Sequence, residues 1–441
     1  MKQITTILAV LVSFTMSAQL SSVTENSKTG QRLTVSNAAN HGDIGSNAVD
    51  LSYSNSSSTT IGATGNYSIA MGYEPTASHD ASTAIGSSTV ASGWASTAMG
   101  LSTTASNSFS TSMGKYTQAS GNASTAMGES TTASGEQSTS MGKNTTASGS
   151  RSTAMGYNTS ASGPYSTAMG YGSSATGANT TAIGYYSTAS NYGSTAMGLY
   201  TKATADYSTA MGYGSYAYAD YSTAMGNATV ANGRISTTMG NNTSSYDYAS
   251  LSIGSYNSVN SSVTGSATAF NTANAAFVIG NGTASNAKSD AFVVYFNGNA
   301  TLAGDLTINS DERLKDNIQP LGSTLNKLHQ IEAKTYSLKK DEEHTPKIGV
   351  LAQEVQAVFP ELVTEGADGI LSVNYQGLVP VLINAINEQE LKMSEQDAKI
   401  AALEAQNEQL AIASQKIAAL EEMVRFLAVQ QSQATSSVAS N

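Results

Sequence analysis

One apolar residue followed by glycine returns every fourteen residues, from Met71-Gly72 to Ile253-Gly254. The glycines fall at 72, 86, 100, 114, 128 and onward without a slip. A second beat, at Ala77, Ala91, Ala105 and on to Ala231, keeps the same spacing. A fixed period of this kind means stacked units, each of which buries its core only against its neighbours. A disordered linker has no need of the same residue type at the same phase in every repeat, so the periodicity excludes one here.

A typical unit is Ser96-Thr97-Ala98-Met99-Gly100, then a polar stretch, then Ala105-Ser106. Its alternation reads as a short strand, with polar side chains expected outward and the apolar Ala and Met inward. The glycine permits a positive φ or a close backbone approach at a corner. Groups such as Ala133-Ser134-Gly135 supply a second short strand and a second turn. Fourteen residues thus make one coil of a parallel β-roll, and fourteen coils at about 4.8 Å each would extend roughly 65 Å. A coil offers only one Met or Ile and some Ala. At about 25 cal/mol per Å² of buried apolar surface this is weak support, so several chains are expected to pack together.

The Ser-Thr-Ala-Met-Gly cores at 124–128, 152–156, 166–170, 194–198, 208–212 and 222–226 resemble the head repeats of trimeric autotransporter adhesins. The resemblance implies a mainly β fold, a left-handed parallel β-roll with three chains side by side, and adhesion to a surface. A homotrimer is therefore the expected assembly. No membrane-barrel strands follow the repeats, unlike that family, so autotransport through a pore of its own is not expected. Tyr157, Tyr171, Tyr185 and Tyr213 follow the glycine, while Tyr165, Tyr207 and Tyr221 precede the Met by four. Such a ladder is a candidate for a surface glycan or protein ligand; the alternative is that the rings cover the thin roll. Ice binding is set aside because Thr does not read as regular on one flat face. The region lacks the recurrent Asp of calcium-binding rolls and any cluster of paired carboxylates or His, so no metal, cofactor or external substrate is expected.

Residues 1–18 read as a signal peptide: Lys2, an apolar stretch from Ile4 to Phe14, then Met16-Ser17-Ala18. That stretch is shorter than the roughly 20 residues a span needs, and no transmembrane helix is expected elsewhere. With no cysteine, disulfides are excluded. The net charge of −11 argues against nucleic acid. Of the 31 acidic and 20 basic residues, most lie after position 309, which marks a change of domain. The expected division is an N-terminal segment 19–58, the roll 59–256, a connector 257–309 that closes the roll, a compact module 310–377, a coiled coil 378–429 and a disordered tail 430–441.

The module carries Ser310-Asp311-Glu312-Arg313-Leu314-Lys315, then Lys347-Ile348-Gly349-Val350-Leu351-Ala352-Gln353-Glu354-Val355. Val358-Phe359-Pro360-Glu361-Leu362-Val363 and Ser372-Val373-Asn374-Tyr375 follow. This ordered set resembles the intramolecular chaperone and self-cleaving peptidase domain first known from phage endosialidase tailspikes. The resemblance implies that Ser310 is the nucleophile, Lys315 its base, and Asn309–Ser310 the bond that breaks. A hydroxyl needs a neighbour to take its proton, and Lys serves only when neutral, through burial or a nearby cation such as Arg313. Gly349 is a candidate source of a backbone N–H for the oxyanion. His329 and His344 have no ligand or triad spacing. From Leu378, the run Leu382, Ile386, Gln389, Met393, Gln396, Ile400, Leu403, Asn407 and Leu410 steps by four and three, a heptad seam; Ile417, Leu420, Val424 and Leu427 resume it after a slip. The expected function is an exported, adhesin-like homotrimeric fibre whose C-terminal module templates its folding and releases itself by cleavage at Asn309–Ser310; the alternative is a module that keeps the templating role without cleaving. A phage-type tail fibre uses the same modules, and the signal segment is what favours export.

Overall fold

A computed structural model describes residues 20–258, 266–339 and 344–438. The signal-peptide segment 1–18 lies outside the described residues. The chain divides into two compact units, one through Thr307 and one from Ile308.

The first unit is mainly β, a solenoid of about 16 turns. Each coil contributes a five-residue strand such as Thr125–Glu129 and a two-residue strand such as Thr132–Ala133. Like strands pair in parallel with like residues facing each other: Met127 opposite Met141, Gly128 opposite Gly142, Ala133 opposite Ala147. Fourteen residues close one circuit, so the sequence period and the hydrogen-bond register are the same quantity. The glycines, expected at a corner, lie instead inside the five-residue strands as their fourth residue, with φ between +97° and +132°. A Cβ on Gly128 would lie 2.0 Å from the Gly142 carbonyl oxygen, so the backbones approach too closely for a side chain.

The interior differs from the alternation expected of the strand. Ala98, Ala126 and Ala154 are fully buried, as expected, but so are Ser96, Ser124 and Ser152. Thr97 and Met99 point outward and are half-buried. Met is displaced from the interior of the repeats, whose recurring side chains are Ala, Ser and Thr, with Pro75 at one Thr position. Some buried hydroxyls turn back onto the chain, as Ser96 Oγ donates to the Gly93 carbonyl at 2.7 Å, while others, Ser124 and Ser152 among them, have no hydrogen-bond partner within the chain. Where a core Ala becomes Ser112 or Ser140, its hydroxyl meets Thr117 or Thr145 at 2.7 Å across the coil. These bonds satisfy groups that would otherwise be costly to bury. The outward Thr also form a regular column, with Thr83, Thr97, Thr111, Thr125 and Thr139 paired in succession. The expectation that Thr lacks a regular face is therefore wrong.

The sheet runs past both ends of the Met-Gly period. Val49–Tyr53 pairs with Ile69–Tyr73, Ser52 opposite Gly72, so part of the segment 19–58 already belongs to the roll. The hairpin of Leu20–Glu25 and Lys28–Leu33 closes that end. Beneath it Arg32 bonds Asp50 at 3.1 Å and Glu25 at 2.8 Å, and Ser52 Oγ lies 3.1 Å from His41 Nδ1. Burial there lowers the pKa of His41. At the other end Ala275–Asn281 pairs with Leu251–Ser255, Gly254 opposite Gly280, after an insertion that breaks the fourteen-residue spacing. Asp290–Tyr295 and Ala300–Leu302 then add antiparallel strands. The last of these strands ends at Leu302.

In the second unit, α1 (Leu325–Leu328) and α2 (Ala352–Val358) pack with two small antiparallel sheets on the start of α3 (Leu378–Val438). Val355, Phe359 and Val381 form its core. Pro380 sits in the first turn of α3, where its missing N–H costs nothing. Residues 430–438, expected as disordered tail, continue the helix, since Gln and Ala favour it and neither Gly nor Pro stops it.

Gly128→Ala should lower the unfolding free energy by about 2 kcal/mol or more, through the left-handed φ and the carbonyl contact. Thermal unfolding followed by circular dichroism measures this; an unchanged midpoint would contradict the close-approach account.

Candidate self-cleavage site and assembly face

Two features are candidates for chemistry or recognition: the start of the C-terminal unit, and the outer face of the long sheet. Asp311 caps a single 3₁₀ turn, Glu312–Leu314, by accepting from the Arg313 N–H at 2.9 Å. It also accepts from Arg313 Nε at 3.0 Å and Nη2 at 2.7 Å. These bonds hold the Asp311 carboxyl below its ordinary pKa. They also occupy the guanidinium that the sequence offered as a neighbour for Lys315. The turn folds the chain back on itself, and Lys315 Nζ donates to Ser310 Oγ at 2.7 Å. The two residues that the resemblance names are thus in hydrogen-bond contact. Both are exposed in the single chain.

Gly349 lies in one of the two small sheets of this unit. It is buried in the strand Lys347–Gly349, opposite Lys334, and a Cβ there would meet the Tyr375 hydroxyl at 2.8 Å and Tyr336 at 3.1 Å. The Tyr375 hydroxyl accepts from the Val350 N–H at 3.3 Å. Among the described residues no group of three or more His, Cys, Asp or Glu is placed to hold a metal. No helix among them is long and apolar enough to cross a membrane.

On the roll, the outward column of the long sheet runs through Met99, Met113, Met127, Met141, Met155 and Met169, paired rung by rung. The Thr column lies beside it. Met71, Met197, Met211 and Met239 are between 36% and 40% exposed, far more than a core residue. Sequence reasoning assigned Met to the interior and so missed this face; the volume of Met against a coil of Ala and Ser was the signal available.

The tyrosines form two corner columns. Tyr157, Tyr171 and Tyr185 stack at 5.0 and 4.8 Å, and Tyr207 and Tyr221 at 5.2 Å. Arg151 lies over Tyr165 at 5.2 Å. The hydrogen bond with Tyr186 raises the pKa of the Tyr171 phenol. Stacked rings cover each other's faces and present edges outward, which suits mutual support between coils. Tyr165, Tyr207 and Tyr221 take left-handed φ of +57°, +54° and +59°, a conformation that non-glycine residues rarely adopt. Bonds to the preceding coil, such as Tyr207 N–H to the Tyr192 carbonyl at 2.8 Å, hold them there.

Comparison with known proteins agrees with this division. Residues 310–364 match the family described as chaperone of endosialidase. Residues 63–89, 119–145, 147–173, 175–201 and 203–229 match the YadA head domain repeat. The chain is 37% identical over 109 residues to the long tail fiber protein Gp37 of Escherichia phage AR1, covering 23% of this chain and 9% of that protein. It is 33% identical over 99 residues to the Gp37 of Salmonella phage S16, covering 20% and 13%. With the Gp37 of Enterobacteria phage K3 it shares 30% over 105 residues, covering 22% and 8%. The chain spans about a tenth of the length of these relatives. It therefore joins adhesin-type head repeats to an endosialidase-type chaperone segment.

Proposed function

We propose that this chain is the subunit of an extracellular homotrimeric fibre whose C-terminal unit templates assembly and then cuts itself free. The observation that carries the reading is the outward Met column. A row of half-exposed Met and Ile repeated on successive coils is a larger apolar surface than a solitary soluble chain usually presents. Three rolls packed side by side would cover it and supply the burial that each thin interior lacks. The exposed seam of α3 points the same way: Leu382, Ile386, Met393, Ile400 and Leu403 are each 47% to 61% exposed. As a coiled coil this helix would gather three chains before the rolls align, which matters because distant pairings are slow to form.

The contact between Ser310 and Lys315 supports the cleavage half. In the proposed step, neutral Lys315 takes the Ser310 hydroxyl proton as Oγ attacks the Asn309 carbonyl carbon. The Asn309–Ser310 C–N bond breaks, and the proton passes to the departing Ser310 nitrogen. The resulting ester on Oγ is hydrolysed by water, which leaves a carboxylate on Asn309 and restores the hydroxyl. Burial between subunits would keep Lys315 neutral, so the cut would follow assembly. Losing the template would leave a trimer kinetically trapped.

A virion tail fibre is the second reading, and similarity to Gp37 favours it. Intact mass of the mature protein separates the two: an N-terminus at Gln19 means export, and a retained leader means assembly inside the cell.

Ser310→Ala should leave one full-length band on a denaturing gel where the wild type gives fragments ending at Asn309 and starting at Ser310. The same two fragments from the mutant would eliminate the dyad.

Met127→Glu combined with Met141→Glu puts carboxylates on adjacent rungs of the proposed interface. Light scattering should then report loss of the three-chain mass. A wild-type chain that stays a stable single subunit at micromolar concentration would refute the trimer.

A further inference from the structure

The first turns of α3 present two different faces. Val381 and Ala385 are buried against the C-terminal unit, and Asn384 and Glu388 are half-buried on the same side. The spacing 381, 384, 385 and 388 places all four on one stripe. Leu382 and Ile386, the start of the heptad seam, are exposed on another side. One length of helix can therefore serve an assembly seam and hold its own module at once.

Glu388 holds the module by its backbone. Its carboxylate accepts from the Thr324 N–H at 2.6 Å, the Leu325 N–H at 3.3 Å and the Ser323 hydroxyl at 2.9 Å. The Thr324 hydroxyl lies 3.3 Å from it. Asn384 Nδ2 donates to Glu388 at 2.9 Å, to the Gly322 carbonyl at 3.0 Å and to the Thr324 hydroxyl at 3.0 Å. Thr324 is 1% exposed, and its own side chain does not cap α1. The cap comes instead from a residue 64 positions later. Charge-assisted bonds to backbone N–H groups are among the stronger polar contacts. The same bonds keep the Glu388 carboxyl below its ordinary pKa, led by that from Thr324.

The stretch from Lys315 to Gly322 contains no helix or strand and is exposed throughout. Its downstream end is fastened at residues 322–325, and its upstream end carries Ser310 and Lys315. We propose that Glu388 is the positioning residue that fastens residues 322–325 to α3, so that the Ser310–Lys315 pair, whose contact the Asp311 turn makes locally, is tethered to the folded module only once the helix has formed. The effect on cleavage rests on the function proposed above; the anchoring of residues 322–325 does not.

The test uses the full-length chain with Glu388→Ala and Glu388→Gln. Three quantities are measured: amide hydrogen exchange over 322–328, the rate of appearance of the cut at Asn309–Ser310, and the assembled mass. Glu388→Ala should raise exchange over 322–328 by about tenfold or more and slow the cut by about tenfold, with the mass unchanged. Glu388→Gln keeps one oxygen acceptor but turns an NH₂ toward the N–H groups, so it should show a smaller change of the same sign. If Glu388→Ala does not fold, Glu388→Gln decides by the same measurements. Unchanged exchange overturns the anchoring. Faster exchange with wild-type cleavage overturns the positioning role. A wild-type chain that is never cut overturns the cleavage function itself, and exchange over 322–328 distinguishes that failure from failure of the anchor.

Discussion

Everything in the first unit depends on backbone-to-backbone contact between coils at a repeat of fourteen residues. The parallel pairing of Gly128 with Gly142, and of each equivalent pair, leaves no room for a Cβ. One circuit must therefore return the chain to the same phase, or a bulky residue would meet a carbonyl. This explains why the glycine never slips across the roll. It also explains why two non-glycine residues per coil tolerate left-handed φ: their N–H groups are bound to the coil before. Local strain is offset by a register that each neighbour enforces.

The same narrowness decides where the apolar surface goes. A coil whose interior holds Ala98, Thr103 and Ala105 has no room for Met99. The largest apolar side chain of each repeat is therefore displaced to the outer face of the long sheet. A single roll buries small groups well and large groups poorly. Its stability as one chain is limited by this, and the proposed association of three chains answers the limit directly.

The C-terminal unit solves a different problem with ordinary means. A small core of Val355, Phe359 and Val381 seats two short helices on a long one, and Glu388 supplies the cap that Thr324 does not. The exposed hydrophobic seam on the other side of α3 is available for partners. A templating role needs both: a folded module, and a surface that brings copies together before the slow pairing of the rolls begins. The Ser310–Lys315 contact sits near the junction of the two units in sequence, where the proposed cut would separate the C-terminal unit from the roll.

Sequence alone determined the β-roll, its register, the spacing of its glycines and the start of α3 at Leu378, because each follows from periodicity and backbone geometry. The adjacency of Ser310 and Lys315 was legible only through likeness to a family, since five residues of spacing do not by themselves dictate a turn; the Asp311 cap does. Gly349 could not be placed from sequence, because its neighbours Tyr336 and Tyr375 come from distant strands and loops. The direction of Met was misread for a physical reason: period-two alternation says which residues share a face, but not which face is inside. Only the tertiary structure decided that, by closing a narrow circuit whose recurring interior side chains are Ala, Ser and Thr. The cap by Glu388 on residues 323–325 belongs to the same class, since it joins groups more than sixty residues apart that no local pattern connects.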